Sequence, residues 1–504
     1  MEFLERHILE ALIYVSLLAG VVLIAIPASR RSMMQWTSVG AGFLLLAGSL
    51  FVFIAFDHGS GAETFQMVRS YPWLSQLGID FRLGVDGIAA PMVLLTGIVS
   101  FTGAIVACNM QRQSKAYFVL LYLLIAGVYG TFVSIDLFFL FFFYELAIVP
   151  MYLLIANWGS SSTFKDFIRT KEYGAMKLVL MIVAASVLVW IAIIAIFIES
   201  GTGSFNLLGL QEASRDGAFS ETFQRWVFPL VMIGFGLLAG LWPFHTWSPD
   251  GHVAAPTSVS MLHAGVLMKL GAFGIIRVGM MLLPEGMQDW AVVLFVLGTI
   301  NVIYGAVSAL AQNDLKYVIG YSSVSHMGYV LMGLATLDIW GVQGATLQMF
   351  SHGVMTALFF TVVGAIYERT HTRDSLLLNG LASRVKWITV FFVIAGMTSL
   401  GLPGLSGFIA EVMIFVGAFR TEPVLGILGV IGAGITAVYI LRLTARVFFG
   451  QPSQEWDNVP DLSRREVFAA SVLTLPIILI GVYPMPFLAV IEPGVSAVLA
   501  GLGG

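Results

Sequence analysis

Residues 403–419 read PGLSGFIAEVMIFVGAF and place the carboxylate of Glu411 inside an apolar segment, just after a run that cannot stay helical. Pro403 removes a backbone donor. Three glycines loosen the backbone around it: Gly401, Gly404 and Gly407. In lipid, an unwound stretch is tolerated only where protein or a water-filled cavity satisfies its backbone groups. Because a carboxylate at membrane depth marks an ion or proton pathway by default, the stretch predicts a broken transmembrane helix in transport machinery.

The composition is that of a polytopic helical membrane protein. Of the 504 residues, 58% are hydrophobic and only 11% are charged, and the mean hydropathy is +0.91. Soluble globular domains of this length do not have such a composition. The net charge of −4 is spread thinly and indicates no nucleic-acid partner. The N-terminus lacks the features of a cleaved signal peptide, so we expect the first apolar run to remain as a helix.

The sequence offers no ligand set for a cofactor. Cys108 is the single cysteine, which excludes a disulfide framework and a thiolate cluster within this chain. No His/Cys grouping has the spacing of a metal site, and neither a phosphate-binding loop nor a dinucleotide fingerprint occurs. We therefore expect no metal and no redox cofactor in this chain.

Apolar runs of roughly 20 residues predict an all-α fold with about fourteen transmembrane helices. The predicted spans lie near residues 8–27, 36–56, 86–108, 116–134, 137–157, 173–199, 227–247, 256–282, 290–311, 318–336, 340–367, 387–418, 424–449 and 466–489.

Lysine and arginine orient these spans. Loops after odd-numbered spans hold most of the basic residues: Arg30, Arg31, Arg112, Lys115, Lys165, Arg169, Lys171, Lys316, Arg369, Arg373, Arg384, Lys386, Arg464 and Arg465. The opposite loops hold fewer: Arg69, Arg82, Arg215, Arg225, Arg277 and Arg420. We expect a multi-pass protein of the cell inner (plasma) membrane, in contact with lipid, with both termini on the outer, periplasmic side.

Two spans are interrupted at corresponding places. The seventh breaks at Pro243 and the twelfth at Pro403, and the segments around them have opposite predicted orientations. Paired breaks of this kind indicate two inverted repeats of five helices. The predicted domains are helices one to three (1–115), a first repeat (116–282), a second repeat (283–450) and helix fourteen (451–504).

The fifth span contains a carboxylate on a wall of phenylalanines. Asp136 precedes LFFLFFFYE, and we expect it to cap the helix at the interface. Glu145 lies about 12 Å further in, at 1.5 Å per residue. At that depth a glutamate must be paired, protonated or wet, so we expect a functional role.

The eighth span contains Lys269, about 20 Å from its cytoplasmic start by the same rise. A lysine that deep does not easily reach the interface by snorkelling, and a buried lysine suits proton exchange. His263 lies six residues earlier. A bond to a neighbouring carbonyl and a relay role are equally compatible with its position.

Two more histidines fall within apolar spans, His326 in YSSVSHMGYVLMG and His352 in QMFSHGVMTALFF. Together with Lys269, Glu145 and Glu411 they predict a polar axis across the bundle, as in proton relays. His245 lies beside the break of the seventh span and could extend that axis. Four others are expected in solvent or loops: His7, His58, His252 and His371. The charges in 57–84, 200–226 and 451–465 are expected on solvated faces.

Four strings carry a family resemblance: DLFFLFFFYELAIVPMYLLIANWG, PFHTWSPDGHVAAPTSVSMLHAGVLMKLGAFGIIR, NDLKYVIGYSSVSHMGYVLMG and GLPGLSGFIAEVMIFVGAF. Over residues 80–450 the chain resembles the antiporter-like membrane subunits of respiratory complex I. Sister L-type and N-type subunits, and the related Mrp subunits, usually carry lysine where this chain has Glu411. Glu411 and an end soon after the fourteenth span are typical of the M-type members.

The resemblance implies roles for individual residues. It makes Glu145 the glutamate of span five, Lys269 the lysine of span eight, His326 and His352 central relays, and Glu411 the terminal carboxylate that exchanges protons with the outer side. His245 matches the histidine after the proline of span seven, and Lys316 a basic residue at the cytoplasmic end. It also implies L-type and N-type partner chains, with NADH, FMN, iron–sulfur clusters and quinone bound in partner subunits.

One position departs from the family. The lysine that normally lies five residues before the proline of PFH, as partner of the span-five glutamate, is Leu238 here, and span seven contains no lysine. Glu145 therefore lacks its expected countercharge. Either another cation substitutes, or the glutamate works in its neutral form, or this half does not pump. Lys177, in the cytoplasmic half of span six, is the candidate substitute.

Together with these residues, the resemblance implies a proton-translocating subunit of a complex I-type NADH:quinone oxidoreductase. Three alternatives stay open: an Mrp-type cation/proton antiporter subunit, a membrane subunit of a hydrogenase or another ferredoxin-linked complex, and a spacer without transport activity. The residue types suit H⁺ best but do not exclude Na⁺.

Overall fold

The computed structural model describes residues 2–59, 61–109, 114–163 and 168–502, so Arg112 and Lys165 of the orientation argument lie outside the described residues. Apolar runs without charges form long helices because lipid and protein interiors leave backbone groups no other partner. The helices are α1 (Glu2–Ala25), α2 (Arg31–Ala55), α3 (Ala89–Ala107), α4 (Ser114–Val133), α5 (Leu137–Trp158), α6 (Lys171–Ser200), α7 (Leu207–Arg215), α8 (Glu221–Ala239), α9 (Trp247–Ala254), α10 (Thr257–Leu262), α11 (Met268–Gly274), α12 (Pro284–Leu310), α13 (Leu315–Ala335), α14 (Ile339–Thr370), α15 (Lys386–Ser399), α16 (Ser406–Thr421), α17 (Pro423–Phe448), α18 (Arg464–Val482) and α19 (Met485–Ala500).

The all-α membrane architecture is confirmed. Within the described residues, 12 helical segments are long and apolar enough to cross a membrane. The helix α13 and the two-part segment formed by α15 and α16 occupy the places of the tenth and twelfth predicted spans. The prediction for the last span, 466–489, is wrong at its end, because α18 stops at Val482 and a second helix, α19, follows. Pro484 directly precedes the start of α19, a position where proline is favoured.

Both predicted breaks are present. Between α8 and α9 the chain passes through Gly240, which has a left-handed φ of +83°, and a cis bond before Pro243. Between α15 and α16 two glycines are left-handed, Gly401 at +72° and Gly404 at +92°. Only glycine adopts such angles without strain, which explains why the helices end at these positions.

The eighth span is continuous but irregular. Two π-helical turns, His263–Leu267 and Ile275–Met280, enclose the short α-helix α11, which carries Lys269. A π-turn widens the backbone hydrogen-bonding pattern and occurs mostly at functional sites. Periodicity in the sequence gave no sign of these turns, which lie within an otherwise helical and mostly apolar span.

The segment 57–84, whose charges were expected on a solvated face, has regular secondary structure. It contains an antiparallel hairpin, β1 (Gln66–Leu74) and β2 (Ile79–Val85), whose strands pair along their length. A second, very short pair, β3 (Ser162–Thr163) and β4 (Ile168–Arg169), precedes α6. The segment 200–226 likewise contains α7.

Loop ends sort to two sides of the bundle. A cavity of about 590 Å³ is lined by residues at the exits of odd-numbered spans: Arg31, Cys108, Trp158, Lys316 and Glu368. A second cavity, of about 420 Å³, is lined by residues at the exits of even-numbered spans: Phe65, Asp86, Leu208, Met281 and Gly494. The ends of odd-numbered spans therefore lie together and the ends of even-numbered spans lie together, as expected when successive spans cross the membrane in opposite directions.

Candidate functional site

Lys269 is buried without any exposed surface, and its ammonium group has two partners. The Nζ atom donates to the carbonyl of Ala264, within the first π-turn, and lies 2.8 Å from Nδ1 of His352 on α14. An ammonium group only donates, so Nδ1 of His352 is the acceptor. Lysine and histidine from different spans thus meet as the sequence predicts.

His352 leads on to His326 of α13. The two imidazole rings have centroids 5.3 Å apart, and both residues are buried. The Nε2 atom of His326 lies 2.9 Å from the hydroxyl of Ser399, at the end of α15. His326 therefore connects the buried lysine to the broken twelfth span.

The Nδ1 atom of His326 faces two competing groups. The amide nitrogen of Gln348 lies 3.2 Å away, and Oε1 of Glu411 lies 3.5 Å away. The amide donates to an unprotonated Nδ1, whereas the carboxylate attracts a protonated one. The arrangement therefore supplies a partner for this nitrogen in either protonation state.

Glu411 lies against the break itself. Its side chain is only 5% exposed, and a Cβ atom built on Gly401 would lie 2.7 Å from its Oε2. The absence of a side chain at Gly401 therefore makes room for the carboxylate. Helix α16 supplies Glu411, and the unwound turn before α16 supplies the space.

Glu145 lies apart from this line. It is half-buried on α5, its Oε1 has no hydrogen-bond partner among the described residues, and Ser186 of α6 is the side chain that interacts with the carboxyl group. Leu238 is buried on α8, three residues after Phe235, which packs against Tyr144. No described cation pairs with Glu145 within salt-bridge distance.

Lys177 does not supply the missing countercharge, because it is engaged elsewhere. Its Nζ lies 2.8 Å from Oδ2 of Asp250 on α9. The same carboxylate accepts from Arg169 at 2.5 Å and from the hydroxyl of Tyr317 at 2.9 Å. Ser186, beside Glu145, is about 13 Å further along α6 at 1.5 Å per residue, so Lys177 occupies a different level of the bundle.

His245 lies at the break of the seventh span, as predicted. It is buried, and neither ring nitrogen has a hydrogen-bond partner among the residues that the structure describes. Its ring packs edge-on against Tyr304, with centroids 4.9 Å apart. The positive charge of Lys177 interacts electrostatically with this histidine.

The expectation that His252 lies in solvent or a loop is wrong. His252 is on α9, fully buried, with its ring centroid 4.0 Å from that of His263. His263 is also buried, and neither of its nitrogens has a partner in the described part of the chain. The carbonyl bond considered for His263 is therefore not formed. Sequence reasoning misplaced His252 because α9 is too short to count as a span.

Several polar residues in the interior were not singled out from the sequence. Asp250 binds two basic side chains, and Asn301 of α12 bonds both sides of the first break. Arg277 forms a buried bidentate pair with Asp86, before α3. The sequence features that could have indicated Asp250 and Asn301 were an acidic residue inside WSPDGH and an asparagine within an apolar span.

Asp136 caps α5 as predicted by accepting hydrogen bonds from the amides of Phe138 and Phe139.

These four residues form one line: Lys269, His352, His326 and Glu411. The two histidines meet by ring packing, because Nε2 of His352 has no hydrogen-bond partner among the described residues. Each imidazole can take a proton on one nitrogen and release it from the other. The four groups come from four spans, so movement of any span alters a donor–acceptor distance. Within the described residues no three His, Cys, Asp or Glu side chains are placed to bind a metal ion.

Comparisons with known proteins agree with this geometry. Residues 134–436 match the family described as NADH:quinone oxidoreductase/Mrp antiporter, TM. The chain is 34% identical to an NAD(P)H-quinone oxidoreductase chain 4 of Trichormus variabilis, over 96% of this chain and 90% of the relative. It is 36% identical to a chain 4 of Synechococcus elongatus, over 94% and 88%.

Solved structures share the fold. A chain of respiratory complex I from Thermus thermophilus superposes with a TM-score of 0.87 at 26% identity, over 98% of this chain and 100% of that one. A chain of the Mrp complex from Dietzia superposes with a TM-score of 0.84 at 21% identity, over 99% and 100%, a likeness of fold alone. The expected M-type resemblance is confirmed: the chain belongs to the NADH:quinone oxidoreductase/Mrp antiporter membrane family, within its chain 4 members.

Proposed function

We propose that this chain translocates protons as a membrane-arm subunit of a complex I-type NAD(P)H:quinone oxidoreductase. One observation carries the proposal: an unexposed lysine is linked through two buried histidines to a buried carboxylate at a helix break. Buried ionisable groups are costly in a membrane and are retained where ions or protons move.

Lys269 acts as the central proton holder in this proposal. When it gives up its proton to His352, the proton continues through His326 to Glu411. The change from the Gln348 contact to the Glu411 contact at Nδ1 of His326 accompanies that step. Glu411 then exchanges with the outer side, in agreement with its position beside the unwound turn.

The electrons move elsewhere in the assembly. The relatives are chains of quinone oxidoreductases, and we propose that L-type and N-type antiporter-like chains flank this one. NADH, FMN, iron–sulfur clusters and quinone then belong to partner subunits, and no redox centre to this chain. Redox energy arrives as a change in charge or hydration that alters pairing along the line.

We further propose the topology that the sequence predicts. The domains are helices one to three (1–115), inverted repeats at 116–282 and 283–450, and the segment 451–504. The protein lies in the inner (plasma) membrane with both termini outside. The positions of the two breaks and the basic residues at odd-numbered exits support this assignment.

The test is proton pumping by the assembled complex carrying Lys269→Ala or Glu411→Gln. Both changes should lower the number of protons moved per electron in inverted membrane vesicles, because each removes one end of the line. His371→Asn is the matched control, since His371 is exposed and its left-handed backbone suits asparagine. Parental stoichiometry in both variants would overturn the proposal and favour a spacer.

An Mrp-type antiporter is the second candidate, supported by the shared fold. An Mrp-type antiporter is driven by an ion gradient, whereas a complex I-type subunit is driven by electron transfer. Transport of H⁺ or Na⁺ by the isolated membrane complex under an imposed ion gradient, without electron transfer, would favour it. Glu411 where Mrp subunits usually carry lysine supports the oxidoreductase assignment.

A further inference from the structure

The first repeat has a second group of titratable residues that the Lys269–Glu411 line does not use. It begins at Asp250, whose side chain is 5% exposed and binds Lys177 and Arg169. These two cations are 23% and 37% exposed. The carboxylate is thus reached from the surface through its own ion partners, at the end of α6 that is predicted to be cytoplasmic.

His263 is the next group inward. A Cβ atom built on Gly251, the neighbour of Asp250, would lie 3.0 Å from Cε1 of His263, so the ring packs directly on this backbone. The ring of Trp247 stacks on that of His263, with centroids 5.3 Å apart. The ring therefore lies against the backbone of Gly251, the residue that follows Asp250 in the chain, and His263 itself belongs to the first π-turn of span eight.

His252 is the third group of this set and contacts Met268, which precedes Lys269 in the chain. Its ring is 4.0 Å from that of His263, and its Nε2 lies 3.0 Å from Ser248 Oγ and 3.3 Å from Sδ of Met268, the neighbour of Lys269. The Nδ1 atom of His252 has no hydrogen-bond partner among the described residues. Lys269 is near enough to act electrostatically on both rings.

Three buried imidazole nitrogens in this group have no hydrogen-bond partner among the described residues. They are both nitrogens of His263 and Nδ1 of His252. An unsatisfied buried polar group costs about 1–3 kcal/mol, and such groups in native structures call for a specific explanation.

We propose that protons reach Lys269 through Asp250, His263 and His252, and that this route replaces the missing lysine at position 238. The inference rests on the proposed function. Glu145, half-buried and without a cationic partner among the described residues, lies outside this route. In this route, protons enter the first repeat between α6 and α9, and not at the glutamate–lysine pair that the family carries on α5 and α8.

The transfer conserves protons and charge. A proton from the surface protonates the Asp250 carboxylate as Lys177 moves away. It passes to one nitrogen of His263, which releases the proton of its other nitrogen to His252, and His252 passes one to the neutral amine of Lys269. Ring reorientation then restores each imidazole, and no covalent bond other than N–H or O–H is made or broken.

The experiment measures protons per electron in the assembled complex for Asp250→Asn, His263→Gln and Glu145→Gln, beside Lys269→Ala. Controls are Asp457→Asn, which removes an exposed ion pair with Arg384, and His371→Asn. Asp250→Asn and His263→Gln should lose pumping to the same extent as Lys269→Ala, whereas Glu145→Gln should keep the parental ratio. Complex content per membrane protein, and quinone reduction with an uncoupler, check assembly.

The outcomes separate the two proposals. If Lys269→Ala loses pumping but Asp250→Asn and His263→Gln do not, this route is wrong and the proposed function stands. Loss in Glu145→Gln alone would return the entrance to α5. If Lys269→Ala and Glu411→Gln both keep the parental ratio, the proposed function itself fails. If Asp250→Asn impairs assembly, His263→Gln alone decides, since its ring carries no hydrogen bond among the described residues.

Discussion

Gly401 controls the position of the Glu411 carboxylate. Its φ of +72° belongs to the left-handed region, and a methyl group there would meet Oε2 of Glu411 at 2.7 Å. The same residue therefore ends α15 and leaves space for the charge that α16 carries. The sequence already indicated a helix break next to a buried acid, and the structure shows that the glycine of the break is in direct contact with the carboxylate.

Gly401→Ala should lower proton pumping about as much as Glu411→Gln while the complex still assembles. The added methyl displaces the carboxylate from His326, and the left-handed backbone adds strain of roughly 1–3 kcal/mol. Gly434→Ala is the matched control, because a Cβ there meets nothing within 4 Å. Protons per electron in vesicles is the measurement, and a normal ratio in Gly401→Ala would contradict the expected displacement.

Lys269, His326, His352 and Glu411 were predictable as individual residues because each lies in a long apolar span where charge is costly. Their mutual contacts were not, since they come from spans far apart in the chain. Lys177 illustrates that the depth of a residue can be estimated from the sequence, whereas its partner cannot. Its depth on α6 could be estimated from the helix rise, but its partner Asp250 lies on α9, 73 residues away.

At the scale of elements, Asn301 holds the first broken span together. Its amide nitrogen donates to the carbonyl of Gly240 at 2.8 Å, and its amide oxygen accepts from the amide of Trp242 at 2.6 Å. Both backbone groups are left free when α8 ends. One side chain of α12 therefore replaces two helical hydrogen bonds at membrane depth.

Asn301→Leu should destabilise the folded chain by about 1–3 kcal/mol for each backbone group left unsatisfied. The midpoint temperature of thermal unfolding in detergent should fall accordingly. Asn301→Asp retains the acceptor for Trp242 but loses the donor for Gly240, so we expect an intermediate loss. Equal midpoints for Asn301→Leu and the parent would show that the break does not depend on this contact.

The positions of both breaks followed from Pro and Gly, whereas α9, α19 and the two π-turns did not. Short helices escape detection because a window of span length averages them with their neighbours. A π-turn has no composition of its own and depends on packing against other helices.

At the scale of the whole molecule, the ends of the spans form two sets, each lining its own cavity. The basic residues at odd-numbered exits predict that the set with Arg31 and Lys316 faces the cytoplasm. On this orientation, Gln76 in the hairpin turn faces the periplasm and Gln454 faces the cytoplasm; both are exposed.

Cysteine labelling tests the orientation. In a Cys108→Ser background, Gln76→Cys should react with a membrane-impermeant thiol reagent added to intact, outer-membrane-permeabilised cells, and Gln454→Cys should react only after the inner membrane is opened. Reactivity of both sites after complete permeabilisation is the control for access. The reverse pattern would place both termini in the cytoplasm.

The sequence by itself determined the membrane class, the two helix breaks, the subunit type and the buried residues of the Lys269–Glu411 line. These properties depend on local chemistry: hydropathy over one span, the backbone freedom of Gly and Pro, and charges in apolar surroundings. The tertiary structure alone decided which charges meet. It paired Lys177 with Asp250, left Glu145 without a described cation and brought His252 beside His263, because contacts between helices depend on how spans distant in sequence pack.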